Sequence, residues 1–250
     1  GLQPTAIGNI TAPQVLTGTN SIYAFRTDSN VTGGTLKVGS FNVLNYFTTI
    51  DTGAPICGPQ SDQGCRGADS AFEFERQRAK IVTAISTLDA DVVGLMEIEN
   101  APDNTPEADL VAGLNEATSP GTYDYIATGP IGSDAIRVAL LYQPAAVTPL
   151  GAIETLDAND DARFNDERNR PMLTQSFVEN ETGEVFTVGV NHLNSNGSPF
   201  ADIGEPHHRD GQPNSNDTRT NAASAIVDNI SGDPTGNGDG DYMFNGDQKA

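Results

Sequence analysis

The sequence predicts a mixed α/β domain in which buried strands alternate with amphipathic helices. Short apolar runs rich in Val and Leu are separated by helical patterns, and several of these runs end abruptly in polar side chains. Strand, helix and strand follow one another directly within residues 36–100. The chain carries no internal repeat of solenoid or propeller length. Its 250 residues suffice for one domain with a substantial core.

The run from Asp91 to Asn100 is the clearest strand signal in the chain. It reads Asp-Val-Val-Gly-Leu-Met-Glu-Ile-Glu-Asn, a short apolar segment of the kind that is buried on both faces of a sheet. Its end is anomalous because it carries Glu97 and Glu99. A carboxylate that leaves a buried strand needs a hydrogen bond, an ion pair or a cation, since an uncompensated buried charge is costly. The alternative is that both acids lie in solvent where the strand leaves the sheet.

The preceding strand is predicted at 36–45 and carries Asn42 towards its far end. Asn is disfavoured within strands, so Asn42 is expected to have a specific role. The structural alternative is that it closes a turn before Tyr46. The earlier residues, 1–35, are rich in Thr, Asn and Gly. We expect them to form a linker or the remnant of an upstream β-module, which leaves 36–250 as the domain.

Three helices are predicted between the strands. The first begins at a capping box, Ser70 to Glu73, and continues with apolar residues on one face. The second begins at Thr105-Pro106, where proline suits the first helical turn. The third contains the apolar residues of segment 222–230. Further strands are predicted at 137–142, 174–178, 185–192 and 242–245, and long polar loops at 157–170 and 194–217.

Two cysteines, Cys57 and Cys65, bracket a polar loop. A cysteine pair that closes one loop is typical of a local staple in a secreted protein, so we expect a disulfide. Two free thiols are the main alternative. A metal site is disfavoured because no His or further Cys lies nearby in the sequence.

Four predicted strands end in polar residues of catalytic type, namely Asn42, Glu97, His192 and Asp247. A sheet that delivers such residues from separate strand ends to one edge is typical of a functional site. Carboxylate and amide oxygens are suitable ligands for Mg²⁺. This ion usually binds only one or two protein carboxylates and takes water and substrate phosphate as its other ligands. A His can stabilise or protonate a phosphate oxygen, and an Asp can orient or deprotonate water. The set therefore predicts metal-assisted hydrolysis of a phosphoester.

Other metal sites have weaker support. His207 and His208 are adjacent, and neighbouring side chains on a strand point in opposite directions, so zinc is disfavoured and both are interpreted as solvated loop residues. Residues 233–241 alternate oxygen ligands with glycine. An EF-hand register that starts at Asn237 lacks the required Gly and Glu, so a flexible turn is the main interpretation and a structural Ca²⁺ ion the alternative.

The net charge of -21 restricts the kinds of partner. Such a surface suits a high-salt or marine extracellular setting and repels nucleic acid unless cations or a local Arg cluster intervene. No apolar run approaches the ~20 residues that cross a bilayer, and no basic and apolar leader opens the chain, so we expect no membrane span. The first residue, Gly1, suggests a processed or excised segment. The sequence indicates no stable protein partner.

Eight segments, taken in order, resemble one family. With the cysteine loop between the first and the second, they are similar to the bacterial secreted nucleases of the endonuclease/exonuclease/phosphatase superfamily, of the ExeM and NucH type, over roughly Leu36 to Ala250. The segments are 40–47, 75–81, 91–100, 134–139, 169–171, 190–193, 218–223 and 246–247.

The resemblance implies a DNase I-like, four-layered αββα sandwich that hydrolyses DNA, or RNA, outside the cell with a divalent metal. The implied cofactor is Mg²⁺, with Mn²⁺ as a substitute. By motif match Glu97 is the principal metal ligand and Asn42 lies beside it. In the same way His192 contacts the scissile phosphate, and Asp247 orients or activates the water.

The resemblance also implies supporting residues. Asp134 and Arg137 match the segment that supports the His and the phosphate, although an ion pair at a strand edge would serve equally well. Asn194 and Ser195 match positions expected to face the substrate phosphate.

The chain departs from the family at four points, one of which is that the long loop near Pro199, Phe200 and Ser215 lacks the second Cys pair often seen in this branch. The usual His-x-Lys-Ser-Lys-Gly is His-Leu-Asn-Ser-Asn-Gly at 192–197, so two lysines are replaced by neutral amides. After Gly-Asp, Gln248-Lys249 stand where the family has x-Asn. The family's closing Asp-His is missing, so we expect a C-terminally incomplete fragment of the full enzyme that binds Mg²⁺ weakly and hydrolyses nucleic acid poorly.

Two other functions stay open at this stage. One is another phosphoesterase of the same fold, acting on a phospholipid or a sugar phosphate. The other is a non-catalytic, structural or cation-binding module of a larger secreted protein, which the lysine replacements and the missing closing Asp-His favour.

Overall fold

The computed structural model describes residues 34–195, 197, 205 and 214–237, and the structural statements below concern these residues. They contain seven strands and three helices. In chain order these are β1 (Val38–Tyr46), α1 (Ala71–Leu88), β2 (Val92–Glu99), α2 (Thr105–Ala117), β3 (Asp124–Tyr125), β4 (Ile136–Tyr142), β5 (Val147–Leu156), β6 (Arg170–Glu179), β7 (Val185–His192) and α3 (Asn216–Ser231).

The strands form two sheets. The first has the order β1-β2-β4-β3, with β1 and β2 parallel and the other pairs antiparallel. The second has the order β5-β6-β7 and is antiparallel throughout. The sheets pack face to face through β2 and β4 on one side and β6 and β7 on the other. A Cβ added at Gly94 of β2 would lie 2.9 Å from a methyl group of Val190 in β7, so this glycine permits the close approach.

Each sheet has helices on its outer face. Helices α1 and α2 cover the first sheet, and their apolar residues form one core with Val93 and Leu95 of β2. Helix α3 packs Ala222 and Ala225 against Met172 of the second sheet. The order of layers is helix, sheet, sheet, helix. The predicted α/β class and the αββα sandwich are therefore confirmed.

The ends of α1 follow from its sequence. The hydroxyl of Ser70 accepts a hydrogen bond from the backbone N–H of Glu73, and the Glu73 carboxylate accepts one from the N–H of Asp69. The helix ends at Asp89, whose left-handed backbone (φ 47°) turns the chain into β2. None of the helices in the described part of the chain is both long and apolar enough to cross a membrane.

Two strands have no counterpart in the sequence prediction. Strand β5 contains Pro149 and Gly151, which normally argue against a strand. It nevertheless pairs with β6 because it is the edge strand of its sheet, where a missing N–H is tolerated, and the register shifts around the glycine. Strand β3 has only two residues, too few for an alternating pattern.

Candidate functional site

The site begins where β1 leaves regular strand geometry. The register with β2 shifts between Asn42 and Tyr46, and the two residues Leu44 and Asn45 have left-handed backbones with φ of 53° and 55°. The side chain of Gln77 in α1 donates to the carbonyl of Leu44 at 2.8 Å. Longer contacts at 3.3 and 3.4 Å reach the carbonyls on either side. A helix side chain therefore holds the bend that follows Asn42.

Glu97 is the extra residue of a bulge in β2. The pairing with β4 shifts between Met96 and Ile98, and Glu97 has φ of 64°. A left-handed backbone is unfavourable for a residue with a Cβ, and such strain persists only where the surroundings impose it. Bulges of this kind redirect a side chain, often next to a functional site. Here the bulge leaves the Glu97 side chain 20% exposed.

The two bulges bring Asn42 and Glu97 into contact. The Asn42 amide Nδ2 donates to Oε1 of Glu97 at 2.8 Å, and its Oδ1 accepts the N–H of Leu44 at 2.8 Å. The second oxygen of Glu97 receives no hydrogen bond from any residue that the structure describes. This oxygen and the remaining lone pair of the Asn42 carbonyl are the oxygen donors available for a cation.

His192, the last residue of β7, joins this pair from the second sheet. Its Nε2 lies 3.6 Å from Oε1 of Glu97, and its Nδ1 is buried without a hydrogen-bond partner in the described residues. Burial and the nearby guanidinium of Arg170 lower the pKa of His192, and the carboxylates of Glu97 and Asp134 oppose that shift. The imidazole is therefore mostly neutral at pH 7, with one N–H to donate.

Asp134 is close enough to His192 to influence its pKa, and it lies between two arginines. Its Oδ1 is 2.8 Å from the guanidinium of Arg66, and its Oδ2 is 3.0 Å from that of Arg170. The loop that carries it is held by Asn100, whose side chain donates to the Asp134 carbonyl at 2.8 Å. The arrangement brings two cations to the site. The expected catalytic role of Asp134 stays a prediction.

Glu99, the second acid of the β2 end, has a different environment. It is buried, and its Oε2 accepts hydrogen bonds from the N–H and hydroxyl of Thr48 and from the N–H of Thr49, at 2.8 to 3.1 Å. These bonds fix the chain immediately after β1. Glu99 therefore has a structural role, and Glu97 alone of the two acids reaches the site.

Arg137 does not fit the predicted phosphate contact. Its side chain is fully buried and lies 2.9 Å from the carboxylate of Glu107, which is also fully buried. It also donates to the carbonyl of Gly129 at 2.5 Å and to the hydroxyl of Thr128. Burial raises the pKa of Glu107 to about 7, and the positive charge of Arg137 opposes this shift. A substrate cannot reach a guanidinium with no exposed surface, so Arg137 joins β4 to α2 instead.

The remaining predicted residues have mixed outcomes. Cys57 and Cys65 form the predicted disulfide, so the free-thiol and metal alternatives are wrong. Asn194 and Ser195 follow His192 after Leu193, and the backbone N–H of Asn194 donates to the side-chain carbonyl of Asn169 at 2.9 Å. Their predicted contact with phosphate is untested. The predictions for Asp247, His207, His208, residues 1–33, residues 238–241 of the Ca²⁺ loop and the strand at 242–245 fall outside the described residues.

The described residues contain no group of three or more His, Cys, Asp or Glu side chains that could hold a metal ion. A structural zinc site, which needs about four such ligands, does not fit these residues. Mg²⁺ fits better, because it is often held by only one or two protein oxygens and keeps several waters. Glu97 and Asn42 supply such a set.

Three residues of this region were not predicted from the sequence, although each lies in or next to one of the segments or motifs described above. Arg66 directly follows Cys65, Gln77 lies within segment 75–81, and Arg170 lies within segment 169–171 and is the first residue of β6. Their positions relative to Asn42 and His192 depend on tertiary packing. A rigid, disulfide-closed loop next to an arginine was the one local signal available.

No protein-family model matches the chain, and no curated protein matches it by sequence. Solved structures do resemble it. An endonuclease/exonuclease/phosphatase family protein from Bacteroides thetaiotaomicron is 18% identical, with 81% of this chain and 59% of that chain covered and a TM-score of 0.49. One from Bacteroides vulgatus is 16% identical, with 79% and 60% covered and a TM-score of 0.46.

The catalytic domain of human nocturnin, solved with a bound sulfate anion, is also similar. It is 14% identical, with 80% of this chain and 59% of that chain covered and a TM-score of 0.45. This chain spans about three fifths of the length of these three neighbours.

Proposed function

We propose that this protein is a secreted, divalent-metal-dependent nuclease that hydrolyses phosphodiester bonds of extracellular DNA, with RNA as the second candidate substrate. One observation carries the proposal. Asn42, Glu97 and His192 come from three strands in two sheets, and Glu97 lies 2.8 Å from the first and 3.6 Å from the second. The amide, the carboxylate and the imidazole surround one point at the edge of the sandwich.

Glu97 and Asn42 are the residues that would hold the metal. A bound divalent ion supplies Lewis-acid polarisation of a phosphate oxygen and lowers the pKa of bound water. Asn42 orients the Glu97 carboxylate through its hydrogen bond, so the free carboxylate oxygen has a fixed direction. The strained backbone of Glu97 keeps that carboxylate out of the sheet.

His192 is suited to bind the phosphate. Because its pKa is lowered, the neutral imidazole can donate Nε2–H to a phosphate oxygen at pH 7 when Nδ1 carries no proton. Arg170 and Arg66 lie on either side of Asp134, and the Arg66 side chain is 41% exposed. Positive charge at the site can offset the neutral amides that replace two lysines after His192.

The extracellular location rests on chemistry rather than on a targeting signal. A disulfide closes the loop between Cys57 and Cys65, and disulfides persist mainly in oxidising compartments. The net charge of -21 keeps a protein soluble at high salt.

A phosphoesterase that acts on a small substrate is the second candidate. The same net charge favours it, because a strongly acidic surface repels long polyanions while a single phosphate meets only the local cations.

A substrate panel tests the proposal. The protein is incubated with supercoiled plasmid, single-stranded DNA, RNA and bis-p-nitrophenyl phosphate, in Mg²⁺, in Mn²⁺ and in EDTA. Glu97→Gln removes the carboxylate at constant size. Glu116→Gln makes the same change on the exposed surface of α2 and serves as the matched control.

We expect slow, metal-dependent cleavage of plasmid or oligonucleotide that Glu97→Gln abolishes and Glu116→Gln preserves. Hydrolysis of the small phosphodiester alone would support the second candidate. No hydrolysis of any substrate with either metal, or full activity in Glu97→Gln, would contradict both.

A further inference from the structure

A groove of about 500 Å³ lies between β1 and α1, next to the candidate site. Residues 41–45 of β1 form one wall, and Asn42 among them contacts Glu97. Residues 66–68, which follow the disulfide loop, also line it. One face of α1 forms the other wall, with Glu73, Arg76, Gln77, Lys80, Ile81 and Ala84.

The groove concentrates positive charge in a very acidic protein. Arg66, Arg76 and Lys80 line it against one acid, Glu73, although the whole chain has only 13 Lys and Arg residues and a net charge of -21. Arg76 and Lys80 are four residues apart on a helix, so their Cβ atoms lie about 6 Å apart on one face. The groove is therefore a cationic strip on an anionic surface.

Arg76 and Lys80 are also unpaired. Both are exposed, and neither forms an ion pair with any residue in the described ranges. Six of the other basic side chains in those ranges each contact a carboxylate at 2.6 to 3.0 Å, namely Lys37, Arg66, Arg78, Arg137, Arg163 and Arg170. Unpaired cations on one helix face are available for an anionic ligand.

The floor of the groove is apolar. Phe41, Ile81 and Ala84 all line it, and Phe41 is half-buried. Proteins that bind single strands combine cations, which follow the backbone, with aromatic and apolar surface beneath the sugars and bases. The acidic surface outside the groove disfavours the second strand of a duplex.

We infer that this groove binds the sugar–phosphate backbone of a single-stranded stretch of nucleic acid that leads away from the candidate site. Arg66 lines the groove and also contacts Asp134 of the candidate site. Arg76 and Lys80 contact phosphates further along the strand. The inference rests on the proposed function in one respect, since it assumes that the scissile phosphate lies at Glu97.

Binding measured without cleavage tests the groove separately from catalysis. Fluorescence anisotropy of a labelled single-stranded DNA oligonucleotide is recorded in EDTA at several salt concentrations. The double variant Arg76→Gln, Lys80→Gln removes both unpaired cations and retains good helix formers. Lys37→Gln with Arg163→Gln is the control, because it removes two exposed positive charges away from the groove. Unlabelled duplex and inorganic polyphosphate are the competitors.

We expect the groove variant to bind about tenfold more weakly at low salt, with a salt slope reduced by about 1.4, that is 0.7 for each lost contact. The control should bind like the parent protein. Equal losses in both variants, no measurable binding by the parent, or stronger competition by polyphosphate or duplex than by single strand would overturn the inference.

The small substrate separates the two proposals. Hydrolysis of bis-p-nitrophenyl phosphate should be unchanged in the groove variant, while KM for an oligonucleotide rises. If oligonucleotide binding depends on the groove but no phosphodiester is hydrolysed, the groove stands and the proposed function fails. If phosphodiesters are hydrolysed but the groove variant binds the oligonucleotide as tightly as the parent protein, the proposed function stands and the groove inference fails.

Discussion

The amide Nδ2 of Asn42 lies 2.8 Å from Oε1 of Glu97, and this hydrogen bond joins two strand bulges that are 55 residues apart in the sequence. Both residues lie inside their strands rather than after them. The sheet stays continuous on either side of the bulges, so the polar side chains are aimed outward without ending the strands. The candidate site therefore depends on backbone geometry as much as on side-chain type.

The backbone at position 97 gives the first prediction. With φ of 64°, glycine should be tolerated better than alanine, the reverse of an ordinary strand position. We expect Glu97→Gly to exceed Glu97→Ala in free energy of unfolding by about 1 kcal/mol. Urea denaturation of the two variants measures the difference. An alanine variant as stable as the glycine variant would mean that the backbone there is not strained.

Gln77 gives the second prediction. Its amide donates to the carbonyls of the left-handed bend after Asn42, at 2.8 Å for the closest. In Gln77→Glu an ionised carboxylate would face those carbonyls, so the bend should shift and kcat should fall with little change in KM. Gln143→Glu is the control, since Gln143 donates to Ala90 at the far end of the sheet.

Both glutamine variants should be somewhat less stable than the parent protein. Only Gln77→Glu should also have a lower kcat when the protein is fully folded. Restored function in Gln77→Asn would argue that any amide suffices. Unchanged kcat in Gln77→Glu would show that the bend does not position the site.

The titration of His192 gives the third prediction. Burial and Arg170 lower its pKa, so its midpoint should lie below the ordinary value of about 6.5. Proton NMR in EDTA, with His192→Ala for assignment, measures it. Arg170→Gln should raise the midpoint and Glu97→Gln should lower it further, because the first removes a positive charge and the second a negative one.

The same shift has a consequence for stability. As the pH falls below about 6.5 the unfolded chain takes up a proton on this histidine before the folded protein does. The contribution of His192 to stability is therefore present above that pH and is lost as the pH falls through the folded-state pKa. A midpoint at or above 6.5, or shifts of the opposite sign in the two variants, would contradict the described environment.

Arg137 gives the fourth prediction. Its ion pair with Glu107 is fully buried, and removal of one member of such a pair costs about 3–5 kcal/mol because the other charge stays buried. Arg137→Ala should therefore lower the melting temperature strongly. The double variant Arg137→Met, Glu107→Leu should recover much of that loss. If Arg137→Ala were as stable as the parent and only raised KM, the original phosphate contact would be right.

Much of the fold could be predicted from local patterns. The capping box of α1 and the apolar run of β2 depend on neighbouring residues, and both elements form where expected. Strand β5 was missed because Pro149 and Gly151 lower strand propensity, while its pairing at a sheet edge is a tertiary effect.

The site was predicted less completely. Asn42, Glu97 and His192 were identified because polar residues at the ends of apolar runs are unusual, and they do lie together. The left-handed backbone of Glu97 has no local sequence signal, since glycine would be the usual residue there. Arg137 was misassigned because its burial depends on Glu107 from another element. Arg66 and Arg170 were not predicted because they are far apart in the sequence. Both contact the Asp134 carboxylate only in the folded protein.

The most direct test of the central claim, that Glu97 with Asn42 holds a divalent metal, is Mn²⁺ binding followed by electron paramagnetic resonance. We predict that one weakly bound Mn²⁺ per protein is displaced by Mg²⁺, is lost in Glu97→Gln, is weakened in Asn42→Ala and is retained in Glu116→Gln. Mn²⁺ binding that is the same in the parent protein and in Glu97→Gln would contradict the account.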